Sequence, residues 1–175
     1  MDLADPHHRL TAFDPTRLSM AALFVVGTGG LVGAVIGQFV FGMQPCVLCL
    51  YQRIPYAIVA GLALLGLLLP LGSGIRRWLV AVAGVVFLFG SALAFYHAGV
   101  EWHWWGAITA CGGAPLGEMS MEQFQAQLLS PQKPCDQVDW RVLGLSLAGW
   151  NSLGSLGLAV LCFVQTWRLG ARRPL

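Results

Sequence analysis

Charge is what this chain lacks. Asp, Glu, Lys and Arg make up 10% of its 175 residues, against 57% hydrophobic residues. Soluble domains carry roughly 25% charged residues, so a water-soluble globular fold is excluded. The mean hydropathy of +0.68 agrees. A net charge of +2 is too small to mark a nucleic-acid-binding surface. Cysteine is sparse as well, with five in all: Cys46, Cys49, Cys111, Cys135 and Cys162. A four-cysteine zinc site repeats a short C-x2–4-C knuckle. Here one knuckle exists and 23 residues separate Cys111 from Cys135, so no metal is expected.

What is present is length without charge. Leu18–Met43, Ile54–Ile75, Trp78–Val100 and Val142–Trp167 contain no Asp, Glu, Lys or Arg. Each reaches the ~20 residues that a helix needs to cross a bilayer core. Only helices and closed barrels satisfy their backbone in lipid, so the expected fold is all-α, a membrane bundle of four transmembrane helices. Residues 1–175 then form one integral membrane domain, with a short outward loop at the CxxC and a long one over 101–141. The first span is far longer than the ~7–15-residue core of a signal peptide, and Asp2, Asp5 and Asp14 precede it, so cleavage is not expected.

Arginine sets the orientation. Arg9 and Arg17 precede span one, Arg76 and Arg77 join spans two and three, and Arg168, Arg172 and Arg173 follow span four. The opposite side has Arg53, Lys133 and Arg141. The positive-inside rule therefore puts both termini in the cytoplasm. Four of the five cysteines then map to the outward side, which in a bacterium is the periplasm, where disulfides persist.

The chain is organised around Pro45–Ile54, PCVLCLYQRI. In a helix starting near Cys46, Cys49 sits about 5–6 Å above it. That matches the roughly 4.4–6.8 Å Cα separation of a disulfide. A helix N-terminus and a nearby cation both favour thiolate over thiol. Arg53 lies one turn beyond Cys49, where a charge marks function unless it merely snorkels to the interface. Pro55 removes a backbone hydrogen bond and should bend span two, opening space beside Cys49 and Arg53. His97 lies near the outer end of span three, at the expected depth of Arg53. Taken alone, it reads as an interfacial polar residue facing water, of a type that titrates near neutral pH.

The remaining features read structurally. Gly29, Gly33 and Gly37 form a small-residue row, expected to be a helix-packing seam. Gln38 suits a bond across helices or to a ligand, the former being expected, and Asn151 suits a tie between helices. Trp102, Trp104 and Trp105 suit a segment on the membrane surface. Ser120–Gln123 is a capping-box pattern, followed by Met121, Phe124, Gln125, Leu128 and Leu129 on one face, so a short helix in the interface plane is expected there. Glu101, Glu118, Glu122, Asp136 and Asp139 read as a solvated acidic face. His7 and His8 read as tail residues, and Cys162 as a small buried hydrophobe.

Two outward cysteine pairs admit a redox relay or two structural disulfides; structural bridges leave Arg53 unexplained. The chain resembles the bacterial disulfide bond formation protein B (DsbB) family, quinone-coupled thiol oxidases of the inner membrane. The resemblance rests on Pro45–Arg53 (PCVLCLYQR), Tyr96-His97, Ala110-Cys111, Pro134-Cys135 and Trp140–Asn151 (WRVLGLSLAGWN), and covers all but the two tails. Gln52 stands where some members carry an acidic residue. The resemblance implies that a DsbA-type thioredoxin-fold partner attacks a Cys111–Cys135 disulfide through Cys111. Cys135 would then attack Cys46 and release Cys49 as a thiolate. It further implies a quinone cofactor, ubiquinone or menaquinone, contacted by Arg53 and secondarily by His97, between the outer ends of spans two and three. A membrane reductase of the vitamin K epoxide reductase type also uses four cysteines and a quinone-like ligand, but places its CxxC late in the bundle. A non-enzymatic scaffold with two inert disulfides is the other alternative.

Overall fold

The computed structural model describes residues 14–108, 111 and 133–171. The expected helix over 121–129 and the two tail histidines lie outside the described residues.

Helix α1 (Pro15–Phe39) begins where Asp14 caps it, accepting the Thr16 amide at 2.9 Å, with Pro15 in the first turn. Its apolar sequence continues to Met43, but the helix stops four residues earlier. Gly42 takes a left-handed φ of 68°, which turns the chain towards Pro45. Next come α2 (Val47–Tyr51) and α3 (Arg53–Leu68). They form one membrane-crossing segment, Val47–Leu68, interrupted at Gln52. Pro55 accounts for the break: it offers no amide to the Tyr51 carbonyl, and its ring crowds that carbonyl.

The expected second span ran to Ile75, but α3 ends at Leu68 before Pro70, and Ile75 belongs to the next helix. That helix, α4 (Ser73–Glu101), takes in Arg76 and Arg77, which a charge-free criterion had excluded. Arg76 is buried because its charge is met: Nη1 donates to Asp14 Oδ2 at 3.0 Å and Nε to the Gly66 carbonyl at 2.9 Å. Arg77 donates to the Thr166 carbonyl near the end of the last helix.

The expected fourth span started at Val142. Residues 141–146 instead form a small hairpin, β1 (Arg141–Val142) and β2 (Leu145–Ser146). Its turn residues, Leu143 and Gly144, both have positive φ, the geometry of a two-residue hairpin turn. Helix α5 (Leu147–Ala171) follows, with the Ser146 hydroxyl accepting the Gly149 amide at 3.1 Å as a cap.

The chain is thus an all-α membrane bundle, with four helical segments long and apolar enough to cross a bilayer. Helix α4 lies along α5 and α1 along α3, while α3 also meets α4. The buried centre includes Met20, Val59, Ala63, Val80, Phe87 and Ala159. Without a hydrophobic drive between helices in lipid, small residues and polar clasps hold such bundles. Ser91 and Ser152 exchange hydroxyl-to-carbonyl bonds of 2.9 and 3.1 Å between α4 and α5. Cys162 packs against Gly84, and α1 approaches α3 at Gly27 and Gly30, beside Tyr56 and Ala60. The expected seam is therefore displaced. Gly29 and Gly33 face no neighbouring atom within 4 Å, and Gly37 meets only the Met43 sulfur.

Candidate functional site

Four of the five cysteines gather at the bundle end opposite the Asp14–Arg76 clasp. Cys46 is the cap residue of α2, and its sulfur accepts the Cys49 amide at 3.2 Å. The two sulfurs are 2.7 Å apart, so helix entry alone brings the CxxC side chains together. Cys111 and Cys135 form a disulfide with a Cα separation of 5.2 Å. Both pairs meet: Cys46, Cys111 and Cys135 share one buried cluster with Leu48 and Val100, and Cys49 packs against it.

His97 sits at the junction and is 3% exposed, so it does not face water as its position in sequence suggested. Its Nε2 lies 3.5 Å from the Cys46 sulfur and 3.1 Å from the Cys135 carbonyl. Its Nδ1 is 2.7 Å from the amide nitrogen of Gln52. The hydrogen-bond chain behind Gln52 runs in one direction. Tyr56 donates its hydroxyl to Asn151 Oδ1 at 2.7 Å, and Asn151 Nδ2 donates to Gln52 Oε1 at 2.6 Å. Gln52 can therefore offer only N–H to the ring, making Nδ1 an acceptor. A carbonyl can only accept, so Nε2 carries the hydrogen. The network fixes a neutral ring whose single N–H points between the two cysteine pairs.

Cys46 lies just outside the membrane-crossing segment. The hydrogen bond from Cys49 is the main influence on its thiol; burial opposes it and His97 reinforces it. The result holds Cys46 well below the usual thiol range.

Arg53 donates to Gln38 Oε1 at 3.0 Å across α1 and α3. Gln38 thus bridges helices as expected, and Arg53 is held in place. Beside it is a cavity of 440 Å³, within the size range of small-molecule sites. Its walls include Gly33 and Gly37 of α1, Cys49, Arg53, His97 and Asn151. Gly33 and Gly37, from the row that fails as a seam, are part of one wall of this space. The cavity is lined by the outer ends of the second and third spans, through Cys49, Arg53, His97 and Glu101, and extends to α1 and the start of α5.

Two residues of this site escaped the reading of the sequence. Gln52 is buried and orients His97. Glu101, taken for a solvated loop residue, is the last residue of α4 and 7% exposed. Its Oε1 lies 3.8 Å from His97 Nε2. A signal for it existed: positions 97 and 101 are one helical turn apart and share a face. Trp105 closes this end, stacking on Tyr96 and donating to its carbonyl at 2.8 Å.

A membrane bundle with a dithiol pair and a disulfide in one buried cluster defines a membrane-embedded dithiol–disulfide oxidoreductase. Residues 16–165 match the family model for "Disulfide bond formation protein DsbB". Relatives named "Disulfide bond formation protein B" include one from Xanthomonas campestris pv. campestris (strain 8004), 34% identical over 84% of this chain and 90% of its own. Another, from Xanthomonas oryzae pv. oryzae (strain MAFF 311018), is 31% identical over 90% of this chain and 93% of its own. One from Xylella fastidiosa (strain Temecula1 / ATCC 700964) is 31% identical over 87% and 90%. The chain belongs to the DsbB family and is a multi-pass bacterial membrane protein of disulfide bond formation.

Proposed function

We propose that the protein reoxidises a periplasmic thioredoxin-fold oxidase of the DsbA type and passes the electron pair through its two cysteine pairs to a membrane quinone. The observation that carries this reading is the shared buried cluster of Cys46, Cys111 and Cys135, with Cys49 reaching the adjoining cavity. Residues 1–175 act as one integral membrane domain. The arginine asymmetry supports cytoplasmic termini, with the cysteine end in the periplasm.

A thiolate of the reduced partner attacks Cys111, breaking its bond to Cys135 and forming a mixed disulfide. The second partner thiol resolves that bond, leaving Cys111 and Cys135 reduced and the partner oxidised. With the Cys46–Cys49 pair oxidised to a disulfide, Cys135 then attacks Cys46, breaking that bond, and Cys49 leaves as a thiolate. Cys111 resolves the Cys135–Cys46 bond, restoring the Cys111–Cys135 disulfide and leaving Cys46 and Cys49 reduced. Exchange proceeds by thiolate attack on sulfur. His97 aids it by holding the Cys135 backbone beside Cys46 and by donating Nε2–H to the Cys46 thiolate.

A DsbA-type partner is a strong oxidant, near about −120 mV, whereas structural disulfides lie below about −300 mV. A bound quinone supplies the acceptor of two electrons and two protons that makes the relay run forward. The cavity residues fit such a ring. Gly33 and Gly37 leave room for a flat face, and Arg53 keeps guanidinium N–H groups beyond the one bound to Gln38 for a carbonyl oxygen. The resemblance assigned His97 to the quinone as well. Its engaged ring nitrogens support work at the sulfurs instead.

The test is the absorbance of oxidised quinone after reduced DsbA-type protein is added to the purified chain in detergent, without oxygen. Stoichiometric loss with the native chain, and none with Cys49→Ser, is expected. No loss with any of several quinones removes the quinone reading and leaves a reductase or an inert scaffold.

A further inference from the structure

Glu101 has no part in the relay as described, yet its position is costly. It is nine-tenths buried, and Oε2 is a buried side-chain oxygen without a hydrogen-bond partner, alone in this among the described residues. Such an atom in a native fold asks for an explanation. Glu101 lines the same cavity as Cys46, Cys49 and His97.

Reducing the Cys46–Cys49 bond breaks one S–S bond, adds two electrons and creates two sulfur anions. One proton fits between the sulfurs, which are 2.7 Å apart. That leaves one sulfur charge beside a buried carboxylate. Like charges that share a site cannot both persist, and one must take a proton. His97 is the nearest base, but its Nδ1 faces the N–H of Gln52. An imidazolium would set N–H against N–H there. The proton must go elsewhere.

We propose that Glu101 is the proton acceptor of the Cys46–Cys49 centre, neutral when the pair is reduced and ionised when the disulfide re-forms. His97 stands between the two, its Nε2 3.5 Å from the Cys46 sulfur and 3.8 Å from the carboxylate, and its own protonation is the same in both states. On oxidation the S–S bond forms, and both protons leave with the electron pair to the acceptor. Glu101 is then a proton-storing residue that gives the centre the same net charge reduced as oxidised.

The other charges around Glu101 do not take this part. Cys46 and Cys49 are the reacting pair. Arg141 acts on Glu101 electrostatically from the hairpin and cannot accept a proton. Lys133 and Asp139 are paired with each other. Arg53 is engaged by Gln38. Glu101 Oε2 has no hydrogen-bond partner, which leaves that oxygen for the proton.

The experiment uses the full chain in detergent, with dithiothreitol replacing both the protein partner and the quinone. The proposal shares the cysteine relay with the function proposed above, but its failure here leaves the quinone reading standing. The first readout is the reduced-minus-oxidised infrared difference spectrum. A protonated-carboxyl C=O band should appear on reduction, vanish in Glu101→Gln and return, shifted, in Glu101→Asp. No band in the native chain, or one unchanged in Glu101→Gln, overturns the proposal.

The second readout is the equilibrium of Cys46 and Cys49 with dithiothreitol, read by mass-tagging those two residues. With two protons taken up, as by the reference dithiol, the native constant is flat around neutral pH. With one fewer, the Glu101→Gln constant should rise about tenfold per pH unit, one proton being one decade. Equal pH dependence in both proteins also overturns the assignment.

Discussion

The amide nitrogen of Gln52 stands 2.7 Å from Nδ1 of His97, so the ring keeps its hydrogen on Nε2, between Cys46 and Cys135. Replacing Gln52 with Leu leaves His97 Nδ1 and Asn151 Nδ2 without this partner. A buried polar group stripped of its bond costs about 1–3 kcal/mol. The expected result is lower thermal stability, together with mixed Nδ1–H and Nε2–H signals in the nitrogen-15 imidazole spectrum. A single unchanged tautomer in Gln52→Leu contradicts the assignment.

The depressed Cys46 thiol makes a pH prediction for the reduced chain. Its folded pKa lies below that of an unfolded thiol, so the thiolate favours the fold above the unfolded value. That contribution disappears as pH falls through the folded value. Thiolate ultraviolet absorbance should persist well below the ordinary thiol range. In His97→Ala its midpoint should move up, because a donor to the sulfur is gone. A midpoint that stays put rules out the His97 contact as a cause.

Filling the cavity should separate binding from folding. A Cβ at Gly33 meets no atom within 4 Å and the residue lines the cavity, so Gly33→Leu adds its side chain towards that space. Thermal unfolding should change by less than about 0.5 kcal/mol, as surface substitutions do. The apparent KM for quinone should rise at least about tenfold, or 1.4 kcal/mol. Arg53→Ala should act in the same direction, through a lost charged hydrogen bond of about 1.5–3 kcal/mol. If KM is unchanged in both, the quinone site lies elsewhere.

Cys46→Ser, Cys49→Ser, Cys111→Ser and Cys135→Ser should each abolish turnover with a DsbA-type partner. Cys162→Ser, remote among the core residues near Gly84, should stay within about twofold, since its sulfur serves as a small hydrophobe. Full activity in any of the first four breaks the relay.

At the other end, Asp14 anchors Arg76. Burial alone raises its carboxyl pKa, but the Thr16 hydrogen bonds and the Arg76 guanidinium outweigh this and hold it below the usual range. The stabilisation is present above the unfolded pKa and fades as pH falls through the folded one. Asp14→Asn should therefore cost about 1–3 kcal/mol near neutral pH. The gap from the native chain should narrow on acidification, measured by thermal unfolding at both pH values. A gap that does not depend on pH excludes the ion pair as its source.

Most of the architecture was legible because lipid leaves few choices. Four long apolar runs, a CxxC and Pro55 led to four crossing helices, a paired CxxC and a break in the second span. The misread details depend on tertiary context. A glycine row says that a helix face is small, not whether a helix or an empty space lies against it; Gly27 and Gly30 took the contact while Gly33 kept the space. Arg76 was assigned to a turn because its partner, Asp14, lies 62 residues away. Glu101 was grouped with a polar loop by composition, although its spacing from His97 carried the contrary signal. Gln52 gains its meaning from Asn151, 99 residues further on.

The Tyr56–Asn151–Gln52 chain behind His97 also acts as insulation. Carboxamides donate hydrogen bonds but do not titrate, and each one here is locked in one orientation by its neighbours. A proton on His97 therefore has no conducting route through that chain towards the middle of the bundle. In the proposed cycle, proton traffic stays on the side of Cys46 and Glu101. A membrane protein that moves electrons between thiols can in this way exchange protons with one compartment and leave the barrier between compartments intact.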